Sequence, residues 1–246
     1  MNHVFCLRWG DLYTKDYTNA LYKNLKQNLT IDFEFHEFTD EDFGPEADQW
    51  EEVSQFFMVS RDHRHYTFDD KRDHGGLAHY KKILMMKNNF GIPEGKFIYM
   101  DLDVHINKNI DWMFELDNSK PWACKNYWFA GERFRKNFPV HRSPMINSSV
   151  LKWEDTQLNK VYEFTKKNLD KVMFTYNAID NYMQDQFCGY HNGKPHLFNF
   201  FERDRIVNFS ETTEEQHVNS DIISFAGLSM HEKDLMLQSH EELEDA

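Results

Sequence analysis

Short apolar runs alternate with longer stretches of helical spacing along this chain. Residues 4–9 are apolar apart from Arg8 and stop at Gly10, which predicts a buried strand. Thr14 stands where a helix cap belongs, and Tyr17, Leu21, Tyr22 and Leu25 recur at helical spacing to about residue 28. Ile31, Phe33, Phe35 and Phe38 then predict a second strand. Strand, helix, strand is how a nucleotide-binding α/β unit opens. Residues 40–73 are polar and spotted with aromatics, and the pattern predicts no regular element there. Gly75 and Gly76 precede a helix with Leu77, Tyr80 and Leu84 on one stripe and Ile83, Met86 and Phe90 on the next. A turn over 91–95 ends it. Residues 96–100 form a central strand that delivers Asp101 at its C-terminal end.

The second half predicts a short helix over 109–116 and strands over 122–125 and 145–153. An amphipathic helix follows over 154–169, with Leu158, Val161, Tyr162 and Phe164 or Thr165 inward. A helix over 178–188, strands near 197–201 and 221–226 and a helical acidic tail complete the chain. No Gly/Ser/Pro-rich linker interrupts it. The expectation is one α/β domain over residues 1–246 with a mixed central sheet flanked by helices. A nucleotide-binding lobe would span 1–104, and an acceptor lobe with a closing segment would span 105–246.

Composition narrows the function. The formal net charge is −13, which argues against non-specific nucleic-acid binding and against attraction to anionic lipid. An acidic protein that handles a diphosphate repels its own ligand, and a bound divalent cation is one local remedy. The cysteines Cys6, Cys124 and Cys188 are widely spaced and odd in number, which favours a reducing compartment over a disulfide framework. The residues after Met1 run straight into the first strand without a charged leader and apolar core. No apolar stretch approaches the ~18 residues of a membrane helix. A cytoplasmic location with no membrane span is therefore expected.

The segment from Phe97 to Ile106 is the most informative. An apolar strand ends, and Asp101 and Asp103 follow with Leu102 between them. Residues i and i+2 of extended chain point to one side, so both carboxylates face one place at the C-terminal edge of the sheet, where α/β folds bind ligands. Mg²⁺ and Mn²⁺ take carboxylate and phosphate oxygens. Asp40 and Asp42 share the spacing but follow a less apolar strand, and a solvated pair is expected there. A strand ending in Asp-x-Asp also opens phosphatases of the haloacid dehalogenase type, but no later Asp-Asp pair supplies their second acidic site.

Around these residues a resemblance to GT-A glycosyltransferases is visible, to small bacterial and viral ones distantly similar to glycogenin and lipopolysaccharide galactosyltransferases. The run from Val4 to Tyr13, with Tyr17, Asn19 and Tyr22 following, resembles their opening. His79 to Leu84 resembles the helix whose lysine faces the nucleotide. Tyr99 to Asp103 resembles the metal motif, Ile146 to Val150 the strand framing the donor sugar, and Ile223 to Gly227 with His231 and Glu232 the closing segment. The matches are loose but fall in order over nearly the whole chain.

The resemblance implies a metal-dependent transfer of a sugar from a nucleotide-diphosphate sugar, UDP-hexose by default, to a glycan, lipid or protein acceptor. Leu7 and Tyr13 would line the base pocket. Lys82 would support the nucleotide site, Asp101 and Leu102 would meet the donor, and Asn147 would lie near the sugar. Asp101 and Asp103 would bind Mn²⁺ or Mg²⁺. Asp180 or Asp185 would sit on the acceptor side as the catalytic carboxylate. Ser224 and Ala226 stand where relatives often carry a metal-binding histidine, and His231 is the substitute expected as third ligand. Two alternatives are weaker. A nucleotidyltransferase would carry a Gly-rich basic loop after the first strand, and residues 8–13 hold one Gly and one Arg. A non-enzymatic carbohydrate-binding protein of the same fold would release no nucleotide.

Overall fold

The computed structural model describes residues 1–62, 80–92, 94–125, 146–176, 179–188, 196–226 and 228–234. The expectations at Gly75, Gly76, Leu77 and His79, at Gly227 and in the acidic tail lie outside them.

The strands are β1 (Asn2–Arg8), β2 (Glu34–Thr39), β3 (Lys96–Met100), β4 (Val104–Ile106), β5 (Trp122–Lys125), β6 (Ile146–Glu154), β7 (Asn199–Phe200), β8 (Ile206–Asn208) and β9 (Ile222–Ser224). Six of them form one mixed sheet in the order β2-β1-β3-β6-β5-β7, and β4-β9-β8 form a second. β1 pairs in parallel with both β2 and β3, whereas β6 runs antiparallel to β3. The sheet therefore crosses position 104, since β5, β6 and β7 come from the second half of the sequence.

Residues alternate sides along a strand, and the core divides accordingly. Phe5, Leu7, Phe97, Tyr99, Leu151 and Trp153 pack in one apolar cluster. Val4, Cys6, Ile98, Met100 and Val150 pack in the other. This is why β1 and β3 read as continuous apolar runs rather than alternating ones. The first cluster also holds buried residues of helices Gly44–Asp62, Asn159–Lys167, Leu169–Thr175 and Ile179–Phe187, and of the helical segment 80–85. The second holds those of helix Lys15–Asn28, the short helix Trp112–Glu115 and the small sheet. Among the described residues, no helix is long and apolar enough to cross a membrane.

Several elements differ from expectation. Residues 44–62 are helical where no element was predicted. The described buried stripe of that helix is Ala47, Trp50 and Ser54, narrow and partly polar, so its period is faint. Tyr22 lies on the exposed side of its helix, and the inward set is Tyr17, Thr18, Leu21, Asn24 and Leu25. The helix expected from 154 starts at Asn159, after Asp155 takes a positive φ, and a second helix, Leu169–Thr175, follows it.

The predicted stripe through Phe90 also breaks early. Asn88, Asn89 and Phe90 all have positive φ, a left-handed turn that ends the helix before them. Asn89 is buried and holds this turn together. Its amide donates to the carbonyls of Asp155 at 2.6 Å and Ile92 at 3.1 Å, while its Oδ1 accepts from Trp153 Nε1 at 2.7 Å. Trp153→Phe keeps the stacking on Phe97 but leaves Asn89 Oδ1 buried without that donor. Urea unfolding should show a loss of about 1–3 kcal/mol, the cost of one orphaned buried acceptor.

Candidate functional site

β3 ends at Met100, and its alternation carries as far as Leu102. Leu102 is buried in the same cluster as Ile98 and Met100. Tyr99 and Asp101 point the other way, whereas Asp103, in the turn that follows, reaches Tyr13 and Lys233. Leu102, expected to meet the donor, thus spends its side chain on the core, and its backbone is what it offers a ligand.

Asp101 is held by two side chains. Lys82 Nζ lies 2.7 Å from its Oδ1 and 2.9 Å from its Oδ2, and the Tyr99 hydroxyl donates to Oδ1 at 2.6 Å. Lys82 is buried and also lies 3.4 Å from both the carbonyl and the hydroxyl of Ser148 on β6. Burial and the neighbouring Asp101 charge push the Tyr99 phenol well above its ordinary range, so it remains a donor.

Asp103 is buried and paired independently. Its Oδ2 receives Lys233 Nζ at 2.6 Å and the Tyr13 hydroxyl at 3.1 Å. Lys233 Nζ also lies 2.8 Å from the Tyr13 oxygen. Burial, then the Asp103 charge, drives the Tyr13 phenol upward. The helical turn 230–234 that carries Lys233 is moored by Tyr17, whose hydroxyl donates to Asp234 at 2.7 Å.

The other expected residues fall into two groups. Asp180 belongs to this neighbourhood. It accepts the Ser148 N–H at 3.0 Å and feels the charges of Lys82 and Asp101. Burial raises its carboxyl pKa, and Lys82 and Ser148 pull in the opposite direction. Asn147 lies on β6 beside it and turns its Oδ1 to the Ser149 N–H. Leu7 ends the apolar part of β1 and is largely covered by the core. Asp185 is placed elsewhere: its carboxylate is engaged by Tyr176 and Gln186. Five residues separate it from Asp180, roughly 140° around a helix, so the two cannot share a face.

The closing segment also departs from expectation. His231 is exposed, and among the described residues neither it nor Asp101 nor Asp103 belongs to a group of three metal-ligating side chains. Positions two apart on a helix are about 200° apart around its axis, so turning Lys233 inward turns His231 out. Sequence reasoning missed Lys233 and Tyr99. Tyr99 was findable, because strand parity puts it on the side of Asp101. Lys233 had no local signal, since its partner lies 130 positions earlier.

The decoy pair behaves as a turn. Asp42 accepts from the backbone N–H and hydroxyl of Thr39, and Asp40 accepts the Gly10 N–H. Both are exposed.

No family model and no curated protein matches this chain significantly. Solved structures do. The chain matches a glycosyltransferase involved in the glycosylation of the major capsid of PBCV-1, with TM-score 0.52, 11% identity and coverage of 97% of this chain and 98% of that one. It matches the galactosyltransferase LgtC in complex with donor and acceptor sugar analogues, with TM-score 0.55, 11% identity and 97% and 96% coverage. It also matches mouse xyloside xylosyltransferase 1, with TM-score 0.51, 12% identity and 92% and 98% coverage. The fold is GT-A-like. In this GT-A-like frame the Asp101 and Asp103 carboxylates stand where parallel β1 and β3 both end, each with its own buried lysine.

The pairing of Lys233 with Asp103 is testable without a substrate. Lys233→Met removes the cation from a buried pair, a change that typically costs about 3–5 kcal/mol. The metal-free variant should melt well below wild type. Mn²⁺ should raise its melting temperature more than that of wild type, because no ammonium competes for Asp103. Equal metal responses would show that Lys233 does not occupy the cation position.

Proposed function

We propose that this protein is a glycosyltransferase that moves a sugar from a nucleotide-diphosphate donor to a hydroxyl acceptor on a glycan, lipid or protein. The observation that carries this reading is the pair of buried lysine–aspartate contacts at the C-terminal edge of β3 in a GT-A-like fold. The solved structures that it matches include a galactosyltransferase and a xylosyltransferase, and UDP-hexose is the default donor.

The chemistry asked of the site is mostly electrostatic. The bond between the sugar's anomeric carbon and the diphosphate oxygen breaks, and charge grows on the departing diphosphate. The acceptor oxygen bonds to the same carbon, and its proton passes to Asp180 or to the departing diphosphate. Preorganised positive charge near the leaving group is the usual largest contribution. Lys82 and Lys233 supply two ammonium groups on rigid elements. Tyr13 and Tyr99 hold the carboxylates that hold those lysines. Asp180, close to Lys82, is the carboxylate proposed to face the reacting sugar, and Asp185 is not.

The donor set also fits a hard divalent cation. Asp101 and Asp103 stand two residues apart at the end of β3, and the Lys233 ammonium shows that positive charge is accommodated at Asp103. Mn²⁺ or Mg²⁺ would be held by Asp101 and Asp103 and would neutralise the leaving diphosphate. Lys233, released from Asp103, would be free to pair with a phosphate oxygen. The three cysteines are buried and outside any disulfide, which supports a reducing compartment, the cytoplasm.

The test is nucleotide release from a panel of UDP- and GDP-sugars with Mn²⁺. EDTA should abolish it and added Mn²⁺ should restore it. Asp103→Asn should lower the rate at least ~100-fold, the loss expected when one electrostatic stabiliser of the transition state goes. Asp40→Asn, in the pair of equal spacing, should stay near wild type. An Asp103→Asn protein as active as wild type would sink the assignment.

A further inference from the structure

A second cluster of ligating side chains lies at the opposite end of the sheet. His3 on β1 pairs in register with Glu34 on β2, and Phe5 pairs with His36. Paired residues of neighbouring strands share a face, and so do residues i and i+2 of one strand. The pleat thus puts His3, Glu34 and His36 on one side of the sheet, at its first rungs. Leu7, at the donor end of β1, is four residues further on, about 13 Å away at roughly 3.3 Å per residue.

The three ligand atoms form a triangle. His3 Nδ1 lies 3.1 Å from His36 Nε2 and 3.4 Å from Glu34 Oε2, and His36 Nε2 lies 3.7 Å from the same Glu34 oxygen. A tetrahedral ion with bonds of about 2.0–2.1 Å requires ligand separations of about 3.3–3.4 Å. An octahedral ion with similar bonds requires about 2.8–3.0 Å between adjacent ligands. The observed triangle brackets the tetrahedral value, its shortest side being a hydrogen bond between the two imidazoles.

The surroundings hold this arrangement. His3 is buried and stacked on Phe97 with ring centres 5.0 Å apart. His36 packs against the edge of Phe5 at 5.1 Å. Gly95 closes over His3 so tightly that a side chain there would come within 2.9 Å of the imidazole. Glu34 is more than half exposed, which leaves an entry path and room for water as a fourth ligand. Among the described residues this is the one group of three such side chains close enough to share an ion.

We propose that His3, Glu34 and His36 form a tetrahedral transition-metal site with water as fourth ligand. Two imidazoles and a carboxylate suit Zn²⁺ better than Mg²⁺ or Ca²⁺. The ion would clamp β2, an edge strand, to β1. The site stands apart from the proposed donor site and does not depend on what that site does.

The test uses the whole chain, stripped with chelator and dialysed. Wild type should bind one equivalent of Zn²⁺ in a calorimetric titration. With Co²⁺ in its place it should show the intense visible bands of tetrahedral geometry. Losing a residue that merely supports a metal ligand costs 10–100-fold in affinity. Glu34→Gln and His36→Gln, both at partly exposed positions, should therefore each cost at least ~100-fold. Asp103→Asn should keep the full equivalent, which separates this ion from any at the donor site. Absence of stoichiometric binding in wild type, a weak octahedral Co²⁺ spectrum, or undiminished affinity in both variants would each overturn the proposal.

Discussion

Two carboxylates cannot be covered at the end of one strand unless positive charge is covered with them. Asp101 and Asp103 follow β3 with a single residue between, and Asp103 is almost completely buried. Each is matched by a lysine that is itself buried. An unpaired charge in such a place costs several kcal/mol, so the position of each lysine is fixed by its aspartate. Lys82 fixes the helical segment 80–85 against β6 through Ser148. Lys233, through Tyr13, and its neighbour Asp234, through Tyr17, fix the turn 230–234 against the start of helix Lys15–Asn28. The arrangement of both flanks of the sheet around its C-terminal edge follows from these two contacts.

A pair of identical spacing shows how much depends on context. Asp40 and Asp42 also stand two apart after a strand, yet they are exposed and spend their oxygens on backbone N–H groups of a turn. The difference lies in what precedes them. β3 is central and apolar on both faces, so its end lies among covered elements. β2 is an edge strand with partly exposed residues, so its end lies in water.

The same contrast explains what the sequence disclosed. Strands β1 and β3 were legible because a buried central strand is a run of apolar residues, and Asp101 and Asp103 stood out because they follow one. The opening unit of β1, helix Lys15–Asn28 and β2 was legible from its change of spacing, and β1 and β2 pair in parallel. Helix Gly44–Asp62 was not legible, since its buried stripe is narrow and includes Ser54. The stop at Asn88 was hidden because asparagine tolerates positive φ without the mark that glycine leaves. The histidine expected in the closing segment gave way to Lys233, whose importance rests on a contact 130 residues away in sequence. The His3, Glu34 and His36 group was invisible for a similar reason: its members meet only once β1 and β2 are in register.

The contact between Lys233 and Tyr13 joins positions 220 residues apart. A ribosome delivers the chain from the first residue onward, so Tyr13, Lys82, Asp101 and Asp103 all emerge long before the lysine that one of them needs. Until residue 233 leaves the exit tunnel, Asp103 must stay hydrated and the segment around it must stay open. The six-stranded sheet, whose last strand ends at Phe200, can be in place before that moment. The site is therefore sealed only after residue 233 has emerged, and a nascent chain cut short before Lys233 would hold the six-stranded sheet around an unfinished site.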